Sequence, residues 1–261
     1  MFILHRYNAY LKQNGILKTF LKLISSPLRK IEKIRYKNKK KFLFSLKPED
    51  RFDYIYNTNF WTSNQSVSGI GSELNNTINI RNEIKKLIID YNIKNILDAP
   101  CGDFNWIKYI LNKNINYIGG DIVKDLINKN NIKYKKQNIK FINLDIISNK
   151  LPDSDVMICR DCLIHLSFKN IEKFLNNFCD SGIKYILLTN YKLSNGEKII
   201  NHDIEDGDYR IIDLSNEPFN LPEPIKVFLD KDEEHRNSNL SCYLNLYSNE
   251  QIKKSLNNKN N

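Results

Sequence analysis

No stretch of the sequence approaches the roughly twenty consecutive apolar residues that a membrane-spanning helix needs. Met1 to Leu4 is apolar, but His5-Arg6 interrupts it far short of the core of a secretory leader. The chain is therefore expected to be soluble and cytoplasmic. Cysteine is sparse and odd in number, five residues without regular spacing, which excludes a disulfide framework and suits a reducing compartment. Cys159-Arg160-Asp161-Cys162 is a lone C-x-x-C, and without a second pair it points neither to zinc nor to thioredoxin-like exchange. No metal is expected. Glycine is also scarce, nine residues in 261. Neither the G-x-G-x-x-G of a dinucleotide fold nor the G-K-[ST] of a P-loop is present.

What is present is uneven. Residues 1–44 carry twelve of the forty Lys and Arg against the single acid Glu32, leaving 28 bases and 29 acids for the rest of the chain. The net charge of +10 thus belongs to the arm. Within it Ile16, Leu17, Phe20, Leu21, Leu23, Ile24 and Leu28 fall at helical spacing, with Pro27 breaking or kinking the run. A basic amphipathic helix of this kind either packs on the domain or touches anionic membrane at the inner face. Domain organisation follows from the same asymmetry: a basic helical arm over 1–48, an enzyme domain over 49–252 and a polar tail over 253–261.

The body is organised around Asn95-Ile-Leu-Asp98-Ala-Pro-Cys-Gly102-Asp-Phe-Asn105. A short apolar strand ends in an acid, turns through a glycine, and restarts as a helix expected to carry Trp106, Ile107, Ile110 and Leu111. Ligands of open α/β sheets bind at the carboxyl ends of such strands, where free N–H groups of a helix start favour anions. Asp121 ends a second strand, Tyr117 to Gly120, where a carboxylate can accept from both ribose hydroxyls. Lys140 to Leu144 is a third strand, and Asp145 after it is placed to reach an adenine amino group. With nicotinamide and triphosphate signatures missing, the pattern fits an unphosphorylated adenosine bearing an amine and a carboxylate, S-adenosyl-L-methionine (SAM).

Val156-Met-Ile-Cys159 reads as a fourth strand that delivers Arg160, Asp161 and His165 to the same edge. Methyl transfer to a hydroxyl needs a base, and the ordinary pKa of histidine suits that role at neutral pH. Asp161 is the rival base or the partner that orients His165, and Arg160 is a candidate for anionic groups. Upstream, Ser66-Val-Ser-Gly-Ile-Gly-Ser72 reads as a flexible loop able to close over a ligand, with Trp61 or Phe60 as an apolar lid. A helix follows from about Thr77 to Tyr91. Downstream come a helix over Asn170 to Cys179, a strand over Tyr185 to Leu188, and strands over Ile225 to Leu229 and Cys242 to Tyr247. The alternation predicts an α/β fold, Rossmann-like and doubly wound, with a mostly parallel seven-stranded sheet.

Several strings together resemble a family of bacterial class I SAM-dependent methyltransferases found around capsule and other surface-polysaccharide loci. They are Phe60-Trp61, Ser66 to Ser72, Arg81, Leu97 to Trp106, Tyr117 to Ile122, Cys159 to Ser167, Asn201 to Ile204 with Arg210, Pro218-Phe219 and Leu221-Pro222. The resemblance spans about residues 51–250 and implies SAM contacts at Asp98, Gly102, Asp121 and Asp145. The candidate cofactor-binding set is Trp61, Ser68, Gly69, Arg81, Asp98, Ala99, Cys101, Gly102, Asp121, Ile122, Asp145, Ile146 and Arg160. His165, Asp161 and Arg160 are the candidate catalytic residues; Arg210, His202 and Asp203 are the candidate substrate-binding ones. The implied function is O-methylation of a small anionic or sugar-bearing precursor of a surface polysaccharide, including a nucleotide-linked phosphoramidate of the methyl phosphoramidate decoration. A nucleic-acid methyltransferase using the basic arm and a non-catalytic SAM-fold scaffold are the alternatives.

Overall fold

The computed structural model describes residues 34–230 and 239–258. The amphipathic run from Ile16 to Leu28 lies outside the described residues. The chain divides into two compact units, 1–47 and 48–261. In the first, residues 34–43 are helical, and Lys37 and Lys41 on that helix are exposed.

In the second unit, short apolar runs become strands because they are buried on both faces, as a parallel sheet covered by helices requires. The strands are β1 (Asn95–Asp98), β2 (Asn116–Asp121), β3 (Ile139–Asn143), β4 (Val156–Cys159), β5 (Tyr185–Leu193), β6 (Lys226–Asp230) and β7 (Leu240–Ser248). They form one seven-stranded sheet in the order β3-β2-β1-β4-β5-β7-β6, with β7 antiparallel to both its neighbours. Leu97, Met157, Cys159, Ile186 and Leu188 face one core cluster, while Ile96, Val156, Ile158 and Leu187 face the other. The predicted doubly wound, mostly parallel sheet is the one observed. Its winding reverses between β1 and β4, and the crevice at that reversal is where such sheets bind ligands.

The helices are α1 (Pro48–Asn57), α2 (Ile78–Asp90), α3 (Lys124–Tyr134), α4 (Phe168–Asp180) and α5 (Asn249–Asn257). On α4, Ile171, Phe174, Leu175 and Phe178 are fully buried, each worth about 1.5–3 kcal/mol of burial as an upper figure. Ser167 caps its start by accepting from the Asn170 N–H. The residues expected to form a polar tail from 253 instead continue α5 to Asn257. A capping box between Ser248 and Gln251 starts that helix, and buried Ile252 and Leu256 hold it to the core.

One element differs more. The helix expected after Gly102 is a single 3-10 turn, Ile107–Tyr109. Phe104 takes a left-handed conformation, φ 58°, and drives its ring among Tyr117, Tyr134 and Phe141 at centroid distances of 5.0–5.2 Å. Only eleven residues, 105–115, then remain before β2, and the hydrophobic side chains Trp106, Ile107 and Ile110 are buried without an α-helix.

Candidate active site

A cavity opens at the carboxyl ends of β1, β2 and β4, and Asp98 and Asp121, the last residues of β1 and β2, stand in its wall. Asp98 and Asp121 are 3% and 6% exposed. Tyr117 Oη donates to Asp98 Oδ2 at 2.7 Å, yet burial still pushes the Asp98 carboxyl up to about 7. Burial likewise raises Asp121 to about 6, against the opposing effect of the Val123 and Gly102 N–H groups that it accepts at 3.0 and 3.1 Å.

The turn between them is fixed from both sides. Gly102 gives its N–H to Asp121, and its carbonyl accepts from Asn130 Nδ2 at 2.8 Å. Cys101 N–H donates to the Gly120 carbonyl at 2.8 Å. These two N–H groups are thus engaged within the fold, and no α-helix follows the turn. Gly102 has φ 53°, and a Cβ there would lie 2.0 Å from Ser68 Oγ. Only glycine permits both the backbone conformation and the seating of the Ser66–Ser72 segment on the turn.

That segment is a bonded strap rather than a flexible loop. Asp103 accepts from Ser66 Oγ at 2.9 Å and Val67 N–H at 3.0 Å. Ser63 Oγ donates to Glu73 at 2.7 Å, and Asn105 Nδ2 donates to the Ser72 carbonyl at 3.0 Å. Trp61, not Phe60, stands in the cavity wall, with its ring stacked on His165 at 4.9 Å and 28°.

His165 follows β4 on a 3-10 turn, Leu163–His165. Its Nδ1 lies 2.7 Å from the Asp208 carbonyl oxygen. A carbonyl only accepts, so Nδ1 carries the proton and Nε2 is the basic nitrogen. Burial lowers the pKa of the ring, which keeps it neutral at pH 7. Beside it, Arg160 donates from Nε to Asp230 Oδ2 at 2.6 Å and pairs through Nη1 with Asp161 Oδ2 at 3.0 Å. Its guanidinium lies over the Trp106 ring. Asp161, at φ 52°, is held further by the Thr189 hydroxyl, which accepts from its N–H at 2.8 Å.

Of the residues singled out in the sequence, Trp61, Ser68, Asp98, Cys101, Gly102, Asp121, Ile122, Asp145, Ile146, Arg160, Asp161 and His165 line this cavity. Asp145 reaches it with both carboxylate oxygens already accepting, from Ile147 N–H at 2.9 Å and Ser148 Oγ at 2.6 Å. Six others are not in the wall. Ala99 is buried beneath it, and Gly69 packs against Trp61. Arg81 donates to the carbonyls of Thr77 and Leu74, bracing the start of α2. Arg210, 2% exposed, donates from Nη1 to the Leu163 and Ile164 carbonyls and lies over Phe168. Asp203 accepts from the Phe168 N–H at 2.7 Å at the start of α4, a favourable place for a negative charge. His202 is exposed. The 201–210 segment thus buttresses His165 and α4.

Sequence reasoning missed the contribution of α1, which sends Phe52, Ile55 and Tyr56 into the wall together with Ile122 and Leu126. It also missed Asp103, Asp208 and Asp230, the anchors of the strap, of His165 and of Arg160. The D-F-N string after Gly102 was a signal for Asp103; nothing local marks the other two.

Among solved structures, the chain is similar to magnesium protoporphyrin IX methyltransferase (ChlM) from Synechocystis PCC 6803, with SAH and with SAM bound. The TM-score is 0.52 at 13% identity in both cases, covering 77% of this chain and 100% or 98% of that one. The chain has the SAM-methyltransferase Rossmann-like fold. A further similarity, to human N-acetylserotonin methyltransferase with SAM, has a TM-score of 0.42 at 16% identity; it covers 56% of this chain and only 43% of that protein. No protein-family model matches the chain, and a search of curated proteins finds no match. Within this methyltransferase fold, the cavity described above occupies the crevice between β1 and β4.

Proposed function

We propose that the protein is a SAM-dependent methyltransferase that O-methylates a small hydroxyl-bearing acceptor. The observation that carries this reading is the pair Asp98 and Asp121, buried at the ends of adjacent strands on either side of the fixed Gly102 turn. The residues present fit the cofactor. Asp121 would accept from the ribose hydroxyls, and Ile122, Leu126 and Ile146 offer apolar surface for the purine. Two buried carboxylates whose protons are held by desolvation suit a ligand that brings positive charge. Bound there, the cofactor would supply an electrophilic methyl group.

The chain's own part is to position and to deprotonate. His165 offers Nε2 to the proton of an acceptor hydroxyl, while the Asp208 carbonyl holds Nδ1–H and the Trp61 ring holds the imidazole plane. Asp161 is bound to Arg160 and Thr189, which makes His165 the better candidate for the base. The strap seats Ser68 on the Gly102 turn at the cavity wall. The resemblance to methyltransferases of surface-polysaccharide loci makes a sugar hydroxyl the first acceptor to test.

Thermal unfolding with SAM or its demethylated product SAH tests the reading. A ligand at a hundred times its Kd stabilises the native state by about 2.7 kcal/mol, a shift of several degrees. Asp121→Asn, which keeps one acceptor for the Gly102 turn, is expected to weaken binding by about tenfold or more. A wild-type chain indifferent to both ligands would sink the proposal.

A further inference from the structure

Trp61, Arg160, Asp161, Cys162 and His165 all stand in the cavity wall, and on the methyltransferase reading they are the acceptor's surroundings. Arg160 is the only Lys or Arg side chain in the cavity wall among the described residues, facing the four carboxylates of Asp98, Asp121, Asp145 and Asp161. It is already shared between two acids, Asp161 at 3.0 Å and the fully buried Asp230 at 2.6 Å. His165 is neutral, its proton committed to the Asp208 carbonyl. The next arginine, Arg210, is turned to the Leu163 and Ile164 carbonyls and does not line the cavity. Among the described residues the cavity therefore has no positive charge that is not already paired with acids, although the protein as a whole carries +10.

We infer that the acceptor enters this site uncharged at its reacting end, as a polyol or glycoside rather than a phosphate, phosphoramidate or carboxylate. This deepens the methyltransferase reading and rests on it. An anion here would shed its hydration beside Asp161 without gaining, from the chain's own described side chains, a cation that is not already paired. At an effective dielectric constant of 20, one unit of like charge about 6 Å away costs on the order of a hundredfold in affinity. A neutral hydroxyl compound meets the opposite conditions. Asp161 and His165 Nε2 accept hydroxyl protons, and the Trp61 indole offers a flat apolar surface to C–H groups.

Masking by the paired acids makes the inference testable without knowing the acceptor. The full chain is titrated with inorganic phosphate and with pyrophosphate, against potassium chloride at matched ionic strength, with thermal unfolding as the readout. The wild type should show no saturable stabilisation by either anion, whereas Asp161→Asn frees Arg160 Nη1 and should gain binding of phosphate in the millimolar range. If Asp161→Asn does not fold, Asp230→Asn unmasks Arg160 from the Nε side and replaces it. Saturable phosphate binding by the wild type would overturn the inference. So would a folded variant that stays silent, because the guanidinium would then not be what the acids mask. A labelled-methyl assay on methyl glycosides and their phosphorylated counterparts adds a direct arm, and preferential labelling of the phosphorylated member would also overturn it. The anion arm needs no cofactor, so a failure of SAH to bind would strike the methyltransferase reading alone.

Discussion

At the scale of single residues, His165 shows how a tautomer becomes a chemical assignment. Its Nδ1 is committed to the Asp208 carbonyl, its ring stacks on Trp61 at 4.9 Å, and Tyr209 lies tilted against it at 5.8 Å. Burial favours the neutral ring, so the basic form persists to a pH below the ordinary value of 6.5. Methyl transfer to an acceptor hydroxyl is accordingly expected to lose its base only as the pH falls below about 6.5, the acid limb lying lower than for a solvated imidazole. His165→Ala should cut turnover by about 10²–10⁴-fold while changing SAH affinity little, measured by labelled-methyl transfer and by calorimetry. Loss of SAH binding in proportion to turnover would instead make the residue a support for Trp61. The sequence placed His165 at the right strand end because strand, acid and histidine are close in the chain. It could not place Asp208 or Asp230, whose contacts with His165 and Arg160 span 43 and 70 positions and exist only through the fold. The same blindness made Arg160 and Arg210 look like free anion clamps.

At the scale of elements, the strands were legible and some helices were not. Val156 to Cys159 is apolar throughout and buried throughout, and its shortness is that of a strand covered on both faces. By contrast α1 buries only Arg51 and Ile55, and α5 only Ile252 and Leu256, so neither carries a strong apolar stripe. The 3-10 turn after Gly102 was misread because the helical spacing of Trp106, Ile107 and Ile110 is equally served by an irregular buried segment. The strap belongs to this scale too. Two bonds from Asp103 and the contact of Ser68 with Gly102 tie it to the β1 turn. Asp103→Ala is expected to release it, with amide hydrogen exchange rising over residues 63–72 and SAH affinity falling several-fold. Gly102→Ala should be worse. It imposes a left-handed backbone on alanine, at a cost of about 1–2 kcal/mol, and pushes Ser68 away. Unchanged exchange in both variants would mean that the strap is held by the bonds of Ser63 to Glu73 and of Asn105 to the Ser72 carbonyl.

At the scale of the whole molecule, a basic protein encloses an acidic cavity, and this difference sets its response to pH. Asp98 and Asp121 titrate near 7 and 6 because burial disfavours their charge. A carboxyl whose folded pKa lies above its unfolded value takes up protons on folding, so its contribution to stability falls as the pH rises through the folded pKa. The ligand-free chain should therefore melt at a higher temperature at pH 6.5 than at pH 8, the window in which Asp98 is titrated. A ligand that brings net positive charge reverses the balance by drawing both pKa values down. Binding of SAM at pH 6.5 is then expected to release about one proton, and almost none at pH 8.5, as read by calorimetry in buffers of low and high ionisation enthalpy. SAH lacks the sulfonium charge and should release less. Asp98→Asn should remove most of the signal, since Asp98 is the group still largely protonated at that pH. Proton uptake in place of release would mean that the cavity does not receive its ligand as a cation beside these two strands, and the assignment of Asp98 and Asp121 to the cofactor would fall with it.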